Sequence, residues 1–388
     1  VRDGWLAAGC TLLLFCLLEG GLSLAFFVKD RLSAPAPDQR AVADTYSDPT
    51  WVNNYQEEFN RSKVAQWRPY VYWRRMPYRG SYINVDADGI RLTASTEVAG
   101  TESRTPLKVF MFGGSTMWGT GARDAYTIPS VVERELRQRG VAAEVVNFGE
   151  SGYVSTQEVI TLLLQLQKGR LPDIVIFYDG VNDLYSAYQQ RTAGLPQNEF
   201  NREREFDLSQ PDKFRQRTSI DLRDAATKSS TVRLANGLLR KAGVRRATTA
   251  SDYSPLDSPA PESEALARDV IAAYKGNMEV VKALGEHYHF KYFFYWQPTI
   301  FQKTRLTAYE AGQQAQAQDL GRFVGLTYAA MRQSGLADAR ENSFRDLSLI
   351  FADAGEPLYI DWCHLGESGN EVVAKSMASD ILDLTAGR

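Results

Sequence analysis

The sequence predicts an α/β protein, a parallel sheet between layers of helices, with one membrane-spanning helix ahead of it. Three observations carry this reading. From residue 107 onward, apolar runs of strand length alternate with segments of helical spacing, the pattern of successive βα units. The first run, Leu107-Lys-Val-Phe-Met-Phe-Gly-Gly-Ser115, breaks at two glycines and leaves a serine at the carboxyl edge of a sheet, where open α/β folds place their ligand sites. Far upstream, residues 4–28 contain a single charged residue, Glu19.

That upstream stretch is rich in Leu, Phe, Ala and Gly, and at about 1.5 Å per residue it is long enough for a hydrocarbon core of roughly 30 Å. It reads as a membrane anchor over 4–28, in contact with lipid. A signal peptide has a shorter apolar core and a small-residue cleavage site, which does not precede Lys29. Leu6-Ala-Ala-Gly-Cys10 imitates a lipoprotein box but lies too near the start of the apolar run. Glu19 is costly at mid-membrane. Either an integral partner contacts the helix near it, or it is a protonated Glu on a lone anchor. The chain opens on Val1, which leaves room for residues before it, and basic residues lie on both sides of the helix (Arg2, Lys29, Arg31), so charge does not set the orientation.

After the anchor, 29–44 reads as a linker, with Ser33-Ala-Pro-Ala-Pro-Asp38 extended. An aromatic-rich extension over 45–106 follows, with short strands expected within 67–75 and 82–91. Its tryptophans could stack on sugar, but aromatics more often pack, and packing against the main domain is the expectation. The main domain spans 107–388. Strands are expected at 107–112, 144–147, 173–178 and 289–296, with a short one around 347–351. Helices are expected at 126–139, 155–167, near 184, and at 263–286, 311–334 and 367–384. Between 191 and 262 the pattern dissolves into charged and polar residues, an insertion in which short helices near 219–241 could form a lid or docking surface.

The whole chain has 388 residues, 44 % hydrophobic and 23 % charged, and a formal net charge of −3. This is a globular balance without a basic run, so nucleic acid is not an expected partner. Cys363 is the one cysteine outside the apolar stretch, so no disulfide framework is expected. The glycines at 113–121 fit neither a P-loop nor Gly-x-Gly-x-x-Gly, and three histidines are too scattered for zinc; neither cofactor nor metal is expected.

What remains is the chemistry of acyl transfer. Serine needs a base within hydrogen-bond reach. His287 and His289 flank the start of a strand, at the wrong edge, so His364 is left as the base with Asp361 to orient it. Backbone N–H groups of Ser115 and Gly152 and the side-chain amide of Asn182 would serve a developing oxyanion. Ser115, Asn147-Phe-Gly-Glu-Ser-Gly-Tyr153, Tyr178-Asp-Gly-Val-Asn-Asp183 and Asp361-Trp-Cys-His364, in this order, resemble the four blocks of the SGNH (GDSL-type) hydrolase superfamily over about 107–384.

The resemblance implies a flavodoxin-like three-layer α/β/α sandwich, with Ser115 as nucleophile, Gly152 and Asn182 as oxyanion partners, and Asp361 and His364 as the remaining pair. One departure is visible: glycine stands at 114, where the family's first block usually has Asp. The segment Trp67-Arg-Pro-Tyr-Val-Tyr-Trp-Arg, with Asp88-Gly-Ile-Arg91, is similar to the lead-in of bacterial membrane-anchored members linked with cell-surface polysaccharide modification. The expected function is a serine esterase or acyltransferase on O-acyl, chiefly O-acetyl, groups of an extracytoplasmic carbohydrate, with the soluble domain in the periplasm or outside the cell. The alternative is an accessory subunit of a membrane complex that keeps the fold as a scaffold.

Overall fold

The computed structural model describes residues 2–32, 38–46, 48, 50–93, 105–199, 202–203, 229–241, 260–336 and 343–386. Much of the expected linker at 33–38 and of the insertion, including the part of its helical stretch before 229, lies outside these residues. Two compact units are present, Asp38–Glu199 with Pro255–Arg388, and Val1–Pro37 with Phe200–Ser254.

In the first unit, five strands form one parallel sheet: β5 (Leu107–Gly113), β6 (Ala143–Asn147), β7 (Ile174–Asp179), β8 (Lys291–Trp296) and β9 (Phe344–Asp346), in the order β6-β5-β7-β8-β9. Strand side chains alternate between faces. Phe110, Phe112, Val175, Phe177 and Phe294 therefore enter one core, with α5 (Ser155–Gln167), α6 (Val181–Gln190), α8 (Ala260–Tyr288) and α10 (Gln318–Gln333). Val109, Met111, Ile174, Ile176 and Tyr295 enter the other, with α4 (Ile128–Gln138) and α11 (Glu367–Ala386). This is the α/β/α sandwich with a parallel sheet.

Register fixes a ladder of rings across the first face. Phe112 lies opposite Phe177 and Phe177 opposite Phe294. Centroids run from Phe148 to Phe112 at 5.0 Å, on to Phe177 at 5.1 Å and to Phe294 at 4.9 Å. Each fully buried ring contributes about 1.5–3 kcal/mol through burial, and the ladder rigidifies the strands whose carboxyl ends carry the site.

Two element expectations need correction. The short strand is Phe344–Asp346, not 347–351: Leu347 to Phe351 turn back through i to i+3 bonds, with Ile350 N donating to Leu347 O at 3.0 Å. The helix expected over 311–334 is two helices, α9 (Ala308–Gln316) and α10, broken at Ala317. A capping box of Thr307 and Glu310 starts α9 earlier than hydrophobic periodicity alone indicates.

The extension belongs to the same unit and packs. A hairpin of β1 (Ala65–Arg68) and β2 (Tyr72–Arg75) and a second pair of β3 (Tyr78–Arg79) and β4 (Asn84–Val85) follow α2 (Val52–Ser62). Trp51, Tyr55, Phe59, Ile83 and Val85 bury themselves around Trp118, three residues beyond Ser115.

In the second unit, α1 (Arg2–Leu32) contains a stretch, Asp3–Lys29, long and apolar enough to cross a membrane. Beside it lies α7 (Ser230–Lys241). The Glu19 carboxylate accepts from the Ser229 hydroxyl at 2.8 Å, from Thr231 N at 3.0 Å, from the Thr231 hydroxyl at 2.7 Å, and from Ser230 N. Four donors from residues 229–231 of the chain thus meet the Glu19 carboxylate.

Candidate active site

β5 ends at Gly113 and the chain turns at Gly114 into a single turn of helix, α3 (Ser115–Trp118). The serine is the first helical residue, so its backbone N–H belongs to the unsatisfied start of a helix and points away from it. Its Oγ lies 2.6 Å from His364 Nε2. His364 Nδ1 in turn meets Asp361 Oδ2 at 2.7 Å, while the other carboxylate oxygen accepts the backbone amides of His364 at 2.8 Å and Cys363 at 3.0 Å.

Burial pushes the Asp361 carboxyl upward. The neighbouring imidazole and these hydrogen bonds outweigh it and hold the group at about 2. A permanently ionised acid on Nδ1 fixes the tautomer that leaves Nε2 as acceptor, the form a general base requires.

The loop carrying this pair is moored from below. Lys303 Nζ and Glu310 form a fully buried ion pair at 2.6 Å. Glu310 Oε1 also accepts from Leu358 N at 3.0 Å and Tyr359 N at 3.2 Å, and the Tyr309 hydroxyl donates to Ile360 O at 2.7 Å.

Ser115, Gly152, Asn182 and His364 line one cavity of about 490 Å³. Gly152 holds φ +79°, in the left-handed region that favours glycine, and a Cβ there would stand 3.0 Å from the Gln197 side chain. His287 and His289 lie just before β8, at the amino edge, opposite the site. The structure therefore brings together every residue that sequence reasoning placed at the site, and keeps apart the two histidines it placed elsewhere.

Asp361, Cys363 and His364 offer a carboxylate, a thiol and an imidazole within 4.8 Å, a donor set of the kind metals take. These atoms are engaged with one another and with Ser115. Burial, then the Asp361 charge, pushes the Cys363 thiol well up, so it stays a neutral thiol and a poor ligand or nucleophile.

Sequence reasoning missed the contribution of the linker and the extension ahead of the main domain. Arg40, Phe59, Lys63, Trp73 and Arg75 all line the cavity. Arg75 Nη2 donates to the Ser151 hydroxyl at 2.9 Å, its backbone N donates to Glu150 Oε2 at 2.9 Å, and its guanidinium lies 3.6 Å from the Trp118 ring centroid. Arg74 donates to Phe148 O at 3.0 Å, and Trp73 Nε1 to Ser151 O at 3.0 Å. Three consecutive residues of β2 thus hold the loop that presents Gly152. The available signal was the Trp-Arg-Arg run facing a lone Glu in the second block.

An α/β sandwich with a hydrogen-bonded Ser-His-Asp series at the carboxyl edge of its sheet has the architecture of a serine hydrolase. Solved structures similar to this chain include an acetyl xylan esterase (15 % identity, 71 % of this chain and 99 % of that one, TM-score 0.36). Others are a lipase/acylhydrolase from Enterococcus faecalis (14 %, 71 % and 94 %, TM-score 0.36) and a member of the lipolytic G-D-S-L family from Veillonella parvula (11 %, 69 % and 94 %, TM-score 0.35). No family model and no curated protein matches the chain. At these TM-scores the likenesses decide nothing about this chain, whose own geometry carries the chemistry.

Proposed function

We propose that this chain is a membrane-anchored ester hydrolase or acyltransferase of the SGNH superfamily, acting on O-acetyl groups of an extracytoplasmic carbohydrate. The observation that carries the reading is the continuous series from Ser115 Oγ to His364 Nε2 at 2.6 Å and from Nδ1 to Asp361 at 2.7 Å, opening on a cavity shared with Gly152 and Asn182. The order of these residues along the chain is that of the superfamily's four blocks.

In this mechanism Ser115 Oγ attacks the acetyl carbonyl carbon as Nε2 takes its proton. Charge on the carbonyl oxygen is met by the amides of Ser115, Gly152 and Asn182, each such donor being worth roughly 3 kcal/mol to the transition state. Collapse breaks the ester bond, and the leaving sugar oxygen takes the proton from Nε2. Water, or a second sugar hydroxyl, then repeats the sequence in reverse on the acetyl-serine. The choice between them decides between hydrolase and transferase.

The chain replaced at Ser115→Ala, in detergent, should lose hydrolysis of para-nitrophenyl acetate by 10³-fold or more, roughly the loss seen when a triad member is removed, at an unchanged melting temperature. Retained turnover would sink the assignment. Glu19 is satisfied within the chain, so it supplies no argument for the accessory-subunit reading.

A further inference from the structure

Inside the cavity, three cations surround one ring. The guanidinium carbons of Arg40 and Arg75 lie 5.4 Å, and Lys63 Nζ 4.8 Å, from the centroid of Phe59. Two of the three are matched by carboxylates. Arg75 faces Glu150 at 3.5 Å, and Arg40 grips Asp38 through Nε and Nη2, the shorter contact being 2.7 Å. Lys63 differs. It donates to the neutral Asn60 Oδ1 at 2.7 Å, and among the described residues no carboxylate forms an ion pair with it.

Burial, and the charges of Arg40 and Arg75 acting against that of Asp38, hold the Lys63 ammonium below its ordinary range. Lys63 is an exposed residue of the cavity wall, and a positive group crowded by like charges there gains from a bound anion through an attraction that salt screens. Nη1 of Arg40, the arm not gripping Asp38, stands 4.0 Å from Asp361 Oδ2, so Arg40 is matched by two carboxylates and brings the cation group up to the Ser115 relay. The same cavity is walled by Trp73, Tyr185 and Trp362, with Tyr185 and Trp362 centroids 5.9 Å apart, and such faces pack against sugar rings.

We propose that the substrate of this site is an acidic saccharide ester, its negative group held beside Lys63 and Arg40 while the aromatic walls pack on the sugar. This rests on the esterase reading above and narrows its substrate class from carbohydrate to anionic carbohydrate.

The test compares the full-length chain in detergent on two acetylated oligosaccharides of equal length, one galacturonate-based and one xylose-based. The wild type should show the higher kcat/KM on the uronide, with the preference shrinking as salt rises from 0.05 to 0.5 M. Lys63→Glu should cut the uronide-to-neutral ratio by about tenfold or more and Lys63→Met by about fivefold, in proteins with unchanged melting temperature. A ratio that the two variants leave at the wild-type value, with both esters turned over, overturns the proposal. If no ester is turned over, para-nitrophenyl acetate included, the esterase reading fails by itself. Calorimetric binding of unacetylated oligogalacturonate then decides the anion site alone: affinity lost in Lys63→Glu supports it, and no binding by the wild type overturns it.

Discussion

A β-carbon on residue 114 would stand 1.9 Å from the side-chain nitrogen of Asn182. Gly114 is therefore the surface on which the Asn182 amide rests, one residue from the serine. Any larger side chain at 114 would meet that amide first.

The displaced atom is the far end of a side chain, so relief is local. Gly114→Ala should leave the melting temperature within a few degrees of wild type while lowering kcat on para-nitrophenyl acetate by about 10²–10³, the usual cost of one oxyanion donor. Asn182→Ala should cost the same, and the double variant no more than either single one. Additive losses would show that the glycine acts through something other than Asn182.

How much of this was readable beforehand follows from chain distance. β5, β7 and β8 are continuous apolar runs buried on both faces, and a run of that kind announces itself. β9 has three residues at the edge of the sheet, one buried, too short to leave a pattern. Ser115, Gly152, Asn182 and His364 were legible because each follows a strand or precedes the last helix, so topology alone places them. Arg40, Lys63 and Arg75 were not. Arg40 sits in a short 3-10 turn over Gln39–Val42, Lys63 just after α2 and Arg75 on β2 over the Trp118 ring, and no spacing in the sequence encodes how these segments converge on the cavity.

Arg75 should prove structural as well as local. Its side chain binds Ser151, donates to Ser62 O at 3.1 Å, and lies 3.5 Å from Glu150, itself almost fully buried. Truncation to Arg75→Ala leaves Glu150 with Arg74 at 4.0 Å as its remaining ion-pair partner. Breaking a buried pair from one side costs about 3–5 kcal/mol. Chemical denaturation should show that loss, and Glu150→Gln added to Arg75→Ala should recover part of it; a double variant as unstable as the sum of the singles would exclude coupling.

Beneath the Asn182 loop, Glu158, Asp179 and Asp183 are buried together, with the Ser155 hydroxyl donating to Asp183 at 2.6 Å. Burial is the largest cause that raises all three carboxyls, Asp179 from 3.8 to about 8 and Glu158 well above its ordinary value. In the window between those values for Asp179 the native state holds a proton that the unfolded chain has released. By linkage, stability then falls as pH rises. Denaturation from pH 4 to pH 8 should show stability declining through this window, less steeply in Asp179→Asn. A wild-type curve that rises across the window would contradict the shared burial of these acids.

Glu19 makes the last prediction, in the other unit. Its two oxygens accept the backbone amides of Ser230 and Thr231 and the hydroxyls of Ser229 and Thr231, so a residue of α1 acts as the N-terminal cap of α7. Ser23 and Ser230 share a further hydrogen bond at 2.8 Å, and the Arg233 guanidinium lies 4.3 Å from the Phe26 ring centroid, which aligns α7 with the second half of α1. Removing a helix cap costs about 1 kcal/mol, which is roughly fivefold in a local opening equilibrium. Hydrogen exchange of the full chain in detergent should therefore show residues 229–241 opening about fivefold faster in Glu19→Ala, with Glu19→Gln intermediate because it keeps one acceptor oxygen and loses the charge. Exchange unchanged in Glu19→Ala would mean that α7 holds its fold without α1, and the carboxylate in the apolar helix would again need a partner from outside the chain.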